Sequence, residues 1–302
     1  MPLRVLRGPA VELVRFIIGP MKPAPTHHAR VFGSPWEGVY GTHMESARHF
    51  GKHWHAVYGL GLVEHGAQSS ASGRGTVEAY AGDLITTNPG EVHDGQPLGG
   101  PSRRWRMVYL DPGVVASMVG DPTSTGMQAL ELTRPVIQDA RLAKVLLRLL
   151  DQLEHRDAGL AWSSAEALAC EELLVHTCAL LLEGHASAPR SHGVDANVQQ
   201  VRDRLADAPL EPPTLTQMAL MAGISKYQLL RRFEKCYGVT PYAWLLQQRA
   251  ERASGLIRRG ESLALAAASC GFADQSHMTR TFARQFGFTP GALKKMTAPT
   301  VR

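Results

Sequence analysis

The 302-residue sequence has few cysteines and no long apolar runs. Its four cysteines, at positions 170, 178, 236 and 270, form no C-x-x-C pair. This argues against a disulfide framework and a zinc knuckle, and it favours helical core positions in a reducing compartment. No apolar run approaches the roughly 18 residues that a membrane-spanning helix needs. The N-terminus also lacks a secretory signal, because Glu12 interrupts its apolar stretch and no small-residue cleavage site follows. We therefore expect a cytoplasmic protein that does not span a membrane.

The first two thirds of the chain lack a basic excess. Residues 1–194 contain 17 basic and 19 acidic side chains, a net charge of −2, whereas residues 195–302 contain 15 and 8, a net charge of +7. The overall charge of +5 therefore comes from the last third. A basic segment joined to a weakly acidic one predicts that the C-terminal part contacts a polyanion.

Two kinds of pattern divide the first 184 residues. Short apolar or alternating runs at 56–63, 76–80, 83–87 and 105–110 are typical of a small antiparallel barrel or sandwich. After Pro135, leucines recur at three- and four-residue steps, which predicts two amphipathic helices. These helices could dimerise or pack on the barrel. Residues 184–193 are rich in small residues and proline, so they are the linker candidate.

The basic third repeats itself. Leu215, Ala219 and Gly223 recur 48 residues later as Leu263, Ala267 and Gly271; Arg231, Phe233, Gly238 and Pro241 recur 49 residues later as Arg280, Phe282, Gly287 and Pro290. Each copy, at about 214–237 and 262–286, predicts a helix, a tight turn at the glycine and a second helix. A purely structural helical repeat would explain the apolar stripes but not the basic and polar opposite faces.

Local signals set the helix ends in both copies. Thr214-x-x-Gln217 and Ser225-x-x-Gln228 are capping boxes, and Asp274 supplies an N-cap. The second helices have apolar stripes at four-residue steps, formed by Leu229, Phe233 and Tyr237 and by Met278, Phe282 and Phe286. A helix from about 242 to 259, ~27 Å long, would join the copies. This arrangement is typical of paired helix-turn-helix motifs spaced by about one turn of DNA.

Residues 195–295, above all the stretch from Gly271 to Pro290, resemble the AraC/XylS family of transcription regulators. The resemblance implies a DNA-binding domain with two helix-turn-helix motifs. Its base-reading positions correspond here to Lys226, Tyr227, Leu230 and Arg231 in the first copy and to Gln275, Ser276, His277, Thr279 and Arg280 in the second. Leu230 departs from the polar residue common there, and Arg232 occupies a position that is usually apolar and on the core side.

Histidines mark the β-rich part. His53-Trp-His55 and a later His93 resemble the cupin barrel, whose metal enzymes also use a Glu four or five residues after the H-x-H pair. Gly59 and Leu60 occupy that spacing here, and Glu64 comes too late. We therefore expect no metal or other cofactor, with His53, His55 and His93 as the candidate ligands if one binds. Buried, hydrogen-bonded histidines are the alternative.

The same region resembles the effector-binding barrel of AraC-type regulators through Gly82-Asp-Leu and the stretch from Asn88 to Asp94. Trp105, Met107 and Tyr109 alternate on one strand face and could line an effector pocket with His53, His55 and His93, or could simply pack as core. We expect His43, His49 and His65 to be surface or strand-edge residues.

These patterns predict an α+β multidomain protein. It would comprise a cupin-like β-barrel at 1–134, a two-helix dimerisation or linker element at 135–184, and an all-α tandem helix-turn-helix domain at 195–302. The resemblance implies a transcription regulator that is not an enzyme. Its implied partners are promoter DNA, a small-molecule effector, a second copy of the chain and RNA polymerase. The competing hypothesis is a metal-dependent cupin enzyme, such as a dioxygenase or isomerase, with an appended DNA-binding domain.

Overall fold

The computed structural model describes residues 27–119, 130–156, 163–187 and 195–297. The predictions for the N-terminal signal region and for most of the linker at 184–193 lie outside these ranges. Gly184 and His185 belong to a helix, however, and the next two residues form a short strand. In the described ranges, no helix combines the length and the apolar character needed to span a membrane.

Two antiparallel sheets form the N-terminal part of the described chain. The larger has the strand order β1 (His27–Phe32), β2 (Val39–Ser46), β9 (Arg103–Leu110), β4 (Tyr58–His65), β7 (Leu84–Thr87) and β11 (Val136–Ile137). The smaller has the order β3 (Phe50–His53), β8 (His93–Pro97), β5 (Ala67–Ser72) and β6 (Gly75–Tyr80). A short pair, β10 (Glu131–Leu132) and β12 (Ala186–Ser187), lies apart from them. The prediction of a β domain followed by helices is confirmed.

One face of the larger sheet is covered by helices. After α1 (Pro112–Val119) come α2 (Ala140–Arg156) and α3 (Ser164–His185). The α2 leucines pack in one core with sheet residues such as Phe32 and Val108, so these helices belong to the barrel's own core. The boundary predicted between residues 134 and 135 divides the larger sheet, because β11 pairs with β7.

Helices make up the described C-terminal part. They are α4 (Ala196–Asp207), α5 (Leu215–Met221), α6 (Lys226–Tyr237), α7 (Pro241–Arg258), α8 (Leu263–Ser269), α9 (Gln275–Phe286) and α10 (Pro290–Thr297). The side chains of Thr214, Ser225 and Asp274 cap α5, α6 and α9 as the sequence predicts. Gly238 and Gly287 end α6 and α9 at φ values of +72° and +77°, which favour glycine.

Two details differ from the sequence analysis. Cys236 is exposed on α6, whereas the other three cysteines are buried. Arg232 does not disturb the first copy's core, because its exposed guanidinium pairs with the Asp195 carboxylate at 3.1 Å. Leu229 and Phe233 are both fully buried and form the apolar stripe of α6. Helical periodicity therefore places Arg232 on a different face of the helix.

Candidate DNA-binding and effector sites

The first recognition helix, α6, presents its predicted base-reading side chains to solvent. Lys226, Tyr227, Leu230 and Arg231 are all exposed. The Arg231 guanidinium lies 5.7 Å from the centroid of the Tyr227 ring, a cation–π contact that holds the two side by side. Leu230 can offer only an apolar contact, for example to a thymine methyl group.

The second recognition helix, α9, divides its predicted residues into two groups. Gln275, Ser276 and Arg280 are exposed, whereas His277 and Thr279 are half-buried. The His277 ring lies edge-on to Phe272 with centroids 5.3 Å apart. The Thr279 hydroxyl donates to the Gln275 carbonyl oxygen at 2.8 Å, a bond within the helix. The exposed group is therefore the one best placed to reach base edges.

A cavity of about 100 Å³ lies between the two sheets. Since one water needs about 10–15 Å³ by this measure, the cavity has room for roughly seven to ten waters. All six residues predicted to form an effector pocket line it: His53, His55, His93, Trp105, Met107 and Tyr109. The structure brings them together because strand alternation turns one face of β9 inward.

Three imidazoles form a cluster in the cavity wall, in which His53 and His55 are buried and His93 is half-buried. The ring centroid of His53 lies 5.0 Å from that of His55 and 4.4 Å from that of His93. One ring nitrogen from each residue comes within 4.8 Å of the other two. Burial and mutual repulsion lower the pKa of His53 to about 3, and burial also lowers the pKa values of His55 and His93. The cluster is therefore neutral at physiological pH.

Backbone hydrogen bonds fix the orientation of two of these rings. The His53 Nδ1–H donates to the Gly51 carbonyl oxygen at 2.7 Å, and the His93 Nδ1–H donates to that of Glu91 at 2.9 Å. The Nε2 lone pairs remain available to accept a hydrogen bond or to ligate a divalent ion. Glu64, the late glutamate of the sequence pattern, points instead toward Arg106, with oxygen and nitrogen 2.6 Å apart.

The H-x-H spacing predicts that His53 and His55 lie on one strand and face the same side. Strand β3 ends at His53, so His55 follows the strand instead of lying on it. The chain nevertheless continues to alternate: His53 and His55 face the cavity, whereas the Trp54 ring stacks on Trp244 of α7 with centroids 5.9 Å apart. The segment 52–56 is thus a wall shared between the cavity and the helical domain.

Three side chains of the helical domain bind the backbone of this wall. Gln247 Nε2 donates to the Lys52 carbonyl oxygen at 3.2 Å, Gln285 Nε2 donates to that of Trp54 at 2.9 Å, and Glu251 Oε1 accepts the Ala56 N–H at 3.2 Å. Every second residue of the segment is held from outside the barrel, while the residues between them face the cavity. A displacement of the cavity histidines would therefore reach α7 and α9 through a single stretch of backbone.

The end of α9 closes the cavity. The Phe286 ring lies 5.5 Å from that of His55, and Gln285 Nε2 also donates to Glu251 Oε1 at 3.0 Å. Glu251 Oε1 lies 3.8 Å from His55 Nδ1, and burial raises the pKa of this carboxyl to about 8. We call Glu251, Gln285 and Phe286 the interdomain seal. No local signal in the sequence marks this seal, because its three residues occupy ordinary helix positions.

Arg103 is a further cavity residue that the sequence analysis missed. Its side chain is 1% exposed and lines the cavity beside Trp105, whose ring centroid lies 4.7 Å from the guanidinium carbon. Burial lowers the Arg103 pKa to about 10, so the group is charged at neutral pH. Extending the alternation of Trp105, Met107 and Tyr109 by one step toward the N-terminus would have found it.

The other barrel histidines lie outside the cavity wall. His49 and His65 are exposed, as expected. His43 is instead half-buried, and its Nδ1 lies 2.9 Å from Glu154 Oε1 on α2. It joins an ion network in which Arg106 pairs with Glu64, Asp151 and Glu154, between the sheet and α2. This pairing was invisible in the sequence because its partners lie far apart in the chain.

Comparisons with known proteins agree with the arrangement of the two parts. A family model described as an AraC-like ligand binding domain matches residues 38–175, and a helix-turn-helix domain model matches residues 218–296. The first match runs from the barrel into α3, without a break at residue 134.

Among curated proteins, the chain is 29% identical over 222 residues to the uncharacterized HTH-type transcriptional regulator YbfI of Bacillus subtilis, covering 72% of this chain and 78% of YbfI. It is 27% identical over 158 residues to the HTH-type transcriptional activator RhaS of Escherichia fergusonii, covering 52% of this chain and 56% of RhaS. A solved structure of fatty-acid-bound ToxT from Vibrio cholerae is 13% identical with a TM-score of 0.48, covering 89% and 95% of the two chains.

Proposed function

The chain belongs to the AraC/XylS family of transcription regulators, with a ligand-binding domain and a helix-turn-helix DNA-binding domain, and we propose that a ligand in the barrel controls DNA binding through the interdomain seal. The observation that carries the proposal is the shared wall at 52–56. On one side it presents His53 and His55 to the cavity, and on the other it is hydrogen-bonded to α7 and α9. A ligand shifts such an equilibrium only if it binds the two states unequally.

In this mechanism the seal is the element that changes. Phe286 lines the cavity and also ends the second recognition helix. A ligand that displaces Phe286 or the wall would alter how α9 is held beside α6. Since two recognition helices must enter the major groove together, a change in their relative placement changes DNA affinity.

DNA selection from a random pool by the full chain tests the readout. We expect one enriched sequence with two conserved elements about one helical turn apart, and an affinity that falls steeply with salt as phosphate counterions are displaced. Failure to enrich any sequence would contradict sequence-specific binding. Trp105→Ala serves as the sensor control: affinity without ligand should be unchanged, whereas the response to ligand should be lost.

Self-association through α3 forms part of the proposal. Leu168 and Val175 lie seven residues apart on α3 and are 57% and 49% exposed, whereas Leu174 and Leu181 of the same helix are buried in the core that α2 and the sheet share. This spacing puts both side chains on one face, which a second copy could cover. A Leu168→Glu, Val175→Glu double variant should sediment as a monomer if the parent chain is a dimer. The family resemblance extends the proposal to a protein that acts in the cytoplasm and contacts RNA polymerase at the promoter.

We propose no catalytic role for the barrel. Three neutral imidazoles could hold a divalent ion such as Zn²⁺, Ni²⁺ or Fe²⁺, and this favours the metal-dependent cupin as the second candidate function. Against it, Glu64 is committed to Arg106 outside the cavity. Metal analysis of purified protein decides between them: stoichiometric metal that is lost in His53→Ala and His93→Ala, but kept in the exposed control His65→Ala, would support the enzyme.

A further inference from the structure

The strongest unexplained feature of the cavity is the charge of Arg103. Its side chain is almost completely buried, and removing a guanidinium from water costs several kcal/mol unless a partner compensates. Among the described residues, no acidic side chain forms an ion pair with it. The acids that line the cavity are engaged elsewhere: Glu91 pairs with Arg74, and Asp94 accepts the Ala71 N–H at 2.6 Å.

The hydrogen bonds of Arg103 leave most of its donors unused. Nε donates to Gln68 Oε1 at 3.0 Å, and Nη1 donates to the Arg48 carbonyl oxygen at 3.1 Å. A guanidinium has five N–H donors, so three have no acceptor in the described part of the chain. The rings of Trp105 and Phe50, with centroids 4.7 and 5.6 Å from the guanidinium carbon, hold the group in place without satisfying its donors.

The rest of the cavity determines what kind of anion fits. Among the described residues that line the cavity, Arg103 carries the only lysine or arginine side chain, and the three histidines are neutral. One positive charge matches a carboxylate better than a phosphate ester, which carries nearly two negative charges. The remaining walls are largely apolar, with Phe50, Trp105 and Phe286 contributing rings. A guanidinium fork also matches a carboxylate in a bidentate geometry.

We propose that Arg103 binds the carboxylate of a small organic acid whose apolar body lies in the barrel cavity. The inference rests on the proposed function in that it identifies the chemical class of the effector. The carboxylate accepts the unused N–H donors of Arg103, and the apolar body extends between the sheets toward Phe286. The cavity volume of about 100 Å³ restricts the acid to a small molecule.

The test measures direct binding of defined probes to the full chain. The probes are phenylacetate and the straight-chain carboxylates from acetate to octanoate, each paired with its uncharged primary amide. Calorimetry measures their binding, and thermal unfolding measures their effect on stability, both with and without EDTA. We expect at least one carboxylate to bind and to raise the unfolding temperature, and its amide to bind about 10- to 100-fold more weakly, because hydrogen bonds to charged groups contribute about 1.5–3 kcal/mol.

Variants assign the effect to Arg103. Arg103→Met should weaken carboxylate binding by about 10- to 100-fold, and Arg103→Lys, which keeps the charge but loses the fork, should be intermediate. The matched control is Arg104→Met, since Arg104 is the neighbouring residue on β9 and its 44% exposed side chain pairs with Glu64 outside the cavity. If Arg103→Met does not fold, the carboxylate and amide pairs and the lysine variant still decide.

Four results would overturn the inference: no carboxylate binding to the parent chain, equal binding of acid and amide, undiminished binding in Arg103→Met, or binding that EDTA abolishes, which would make a metal on the histidines the anchor. DNA affinity is measured separately with the same probes. A carboxylate that binds through Arg103 without changing DNA affinity supports this site and contradicts the interdomain coupling, so the two proposals fail independently.

Discussion

The two helix-turn-helix copies share a sequence pattern but differ in their surroundings. Both second helices are capped, carry a buried apolar stripe and end at a left-handed glycine. At the end of α6 the side chains are exposed Cys236 and half-buried Tyr237, whereas the equivalent residues of α9, Gln285 and Phe286, are buried against the barrel.

The difference shows that the same repeat unit can serve two functions, packing within the helical domain and closing the barrel cavity. In the first copy, the Tyr237 ring packs on Phe233 of the same helix with centroids 4.7 Å apart, and Gly238 at the helix end lies against Val92 of the barrel without entering the cavity. The second uses the same turn of helix to close a cavity in another domain. Substitutions at equivalent positions, 49 residues apart, can therefore separate reading DNA from sensing a ligand.

The largest expected effect comes from Phe286→Ala compared with Tyr237→Ala. Phe286 is 6% exposed and lines the cavity, so truncating it should lower the free energy of unfolding by about 3–5 kcal/mol. The half-buried Tyr237 should cost less than half of that. Urea unfolding of both variants measures the difference, and equal losses would mean that the seal adds nothing to the second copy's packing.

The buried Glu251 predicts a pH dependence that belongs to the seal. Its pKa of about 8 in the folded chain exceeds the ordinary glutamate value, so the folded state holds the proton more tightly than the unfolded state. The stabilisation that protonated Glu251 gives the folded state is full below about pH 4.3 and is lost as the pH rises to about 8. Each unit of difference between the folded and unfolded pKa values corresponds to roughly 1.4 kcal/mol.

Unfolding of the parent chain and Glu251→Gln at pH 6.5 and 8 checks this. The parent should lose about 2 kcal/mol more than the variant between these two pH values. The buried histidines, whose pKa values are lowered, act in the opposite direction below pH 6.5, so the comparison is made between pH 6.5 and 8, where they contribute little. The exposed α6 residue Glu234 provides the control substitution, Glu234→Gln; parallel curves for the parent chain and Glu251→Gln would contradict the assignment.

The two recognition helices can be compared through Arg231→Ala and Arg280→Ala. A lost base contact should cost about 1–3 kcal/mol and relax the preference at one or two base pairs, with the two effects about one helical turn apart and nearly additive. We expect the larger loss of specificity from Arg280→Ala. Binding-site selection with each variant measures it, and effects confined to one half-site would leave a single reading helix.

The smallest expected effect, about 1 kcal/mol, comes from Gln285→Ala compared with its equivalent, Cys236→Ala. Gln285 donates to Trp54 and Glu251, whereas Cys236 faces solvent. Gln285→Ala should weaken the effect of a cavity ligand on DNA affinity with little change in DNA affinity itself. Fluorescence anisotropy with labelled DNA measures both, and an identical ligand response in the two variants would argue against coupling through Trp54.

Much of the helical domain could be predicted from sequence because its signals are local. Thr214, Ser225 and Asp274 act on amides two or three residues away, so the predicted helix starts agree with the structure. The alternation of Trp105, Met107 and Tyr109 likewise identified the inward face of β9. The core-side position expected for Arg232 was wrong, because its side chain pairs with Asp195, the N-cap residue of α4, which lies 37 residues away in the chain.

The sequence by itself determined the order of the domains, the helix-turn-helix repeat with its caps and exposed basic residues, and the strand face that lines the cavity. Only the tertiary structure decided that α2 and α3 complete the barrel core, that Arg103 is buried without an acidic partner among the described residues, and that Gln285 meets Trp54 across 231 positions of chain. The physical reason is that caps and periodicity act within a few residues, whereas a buried charge or a domain contact depends on which distant surfaces pack together.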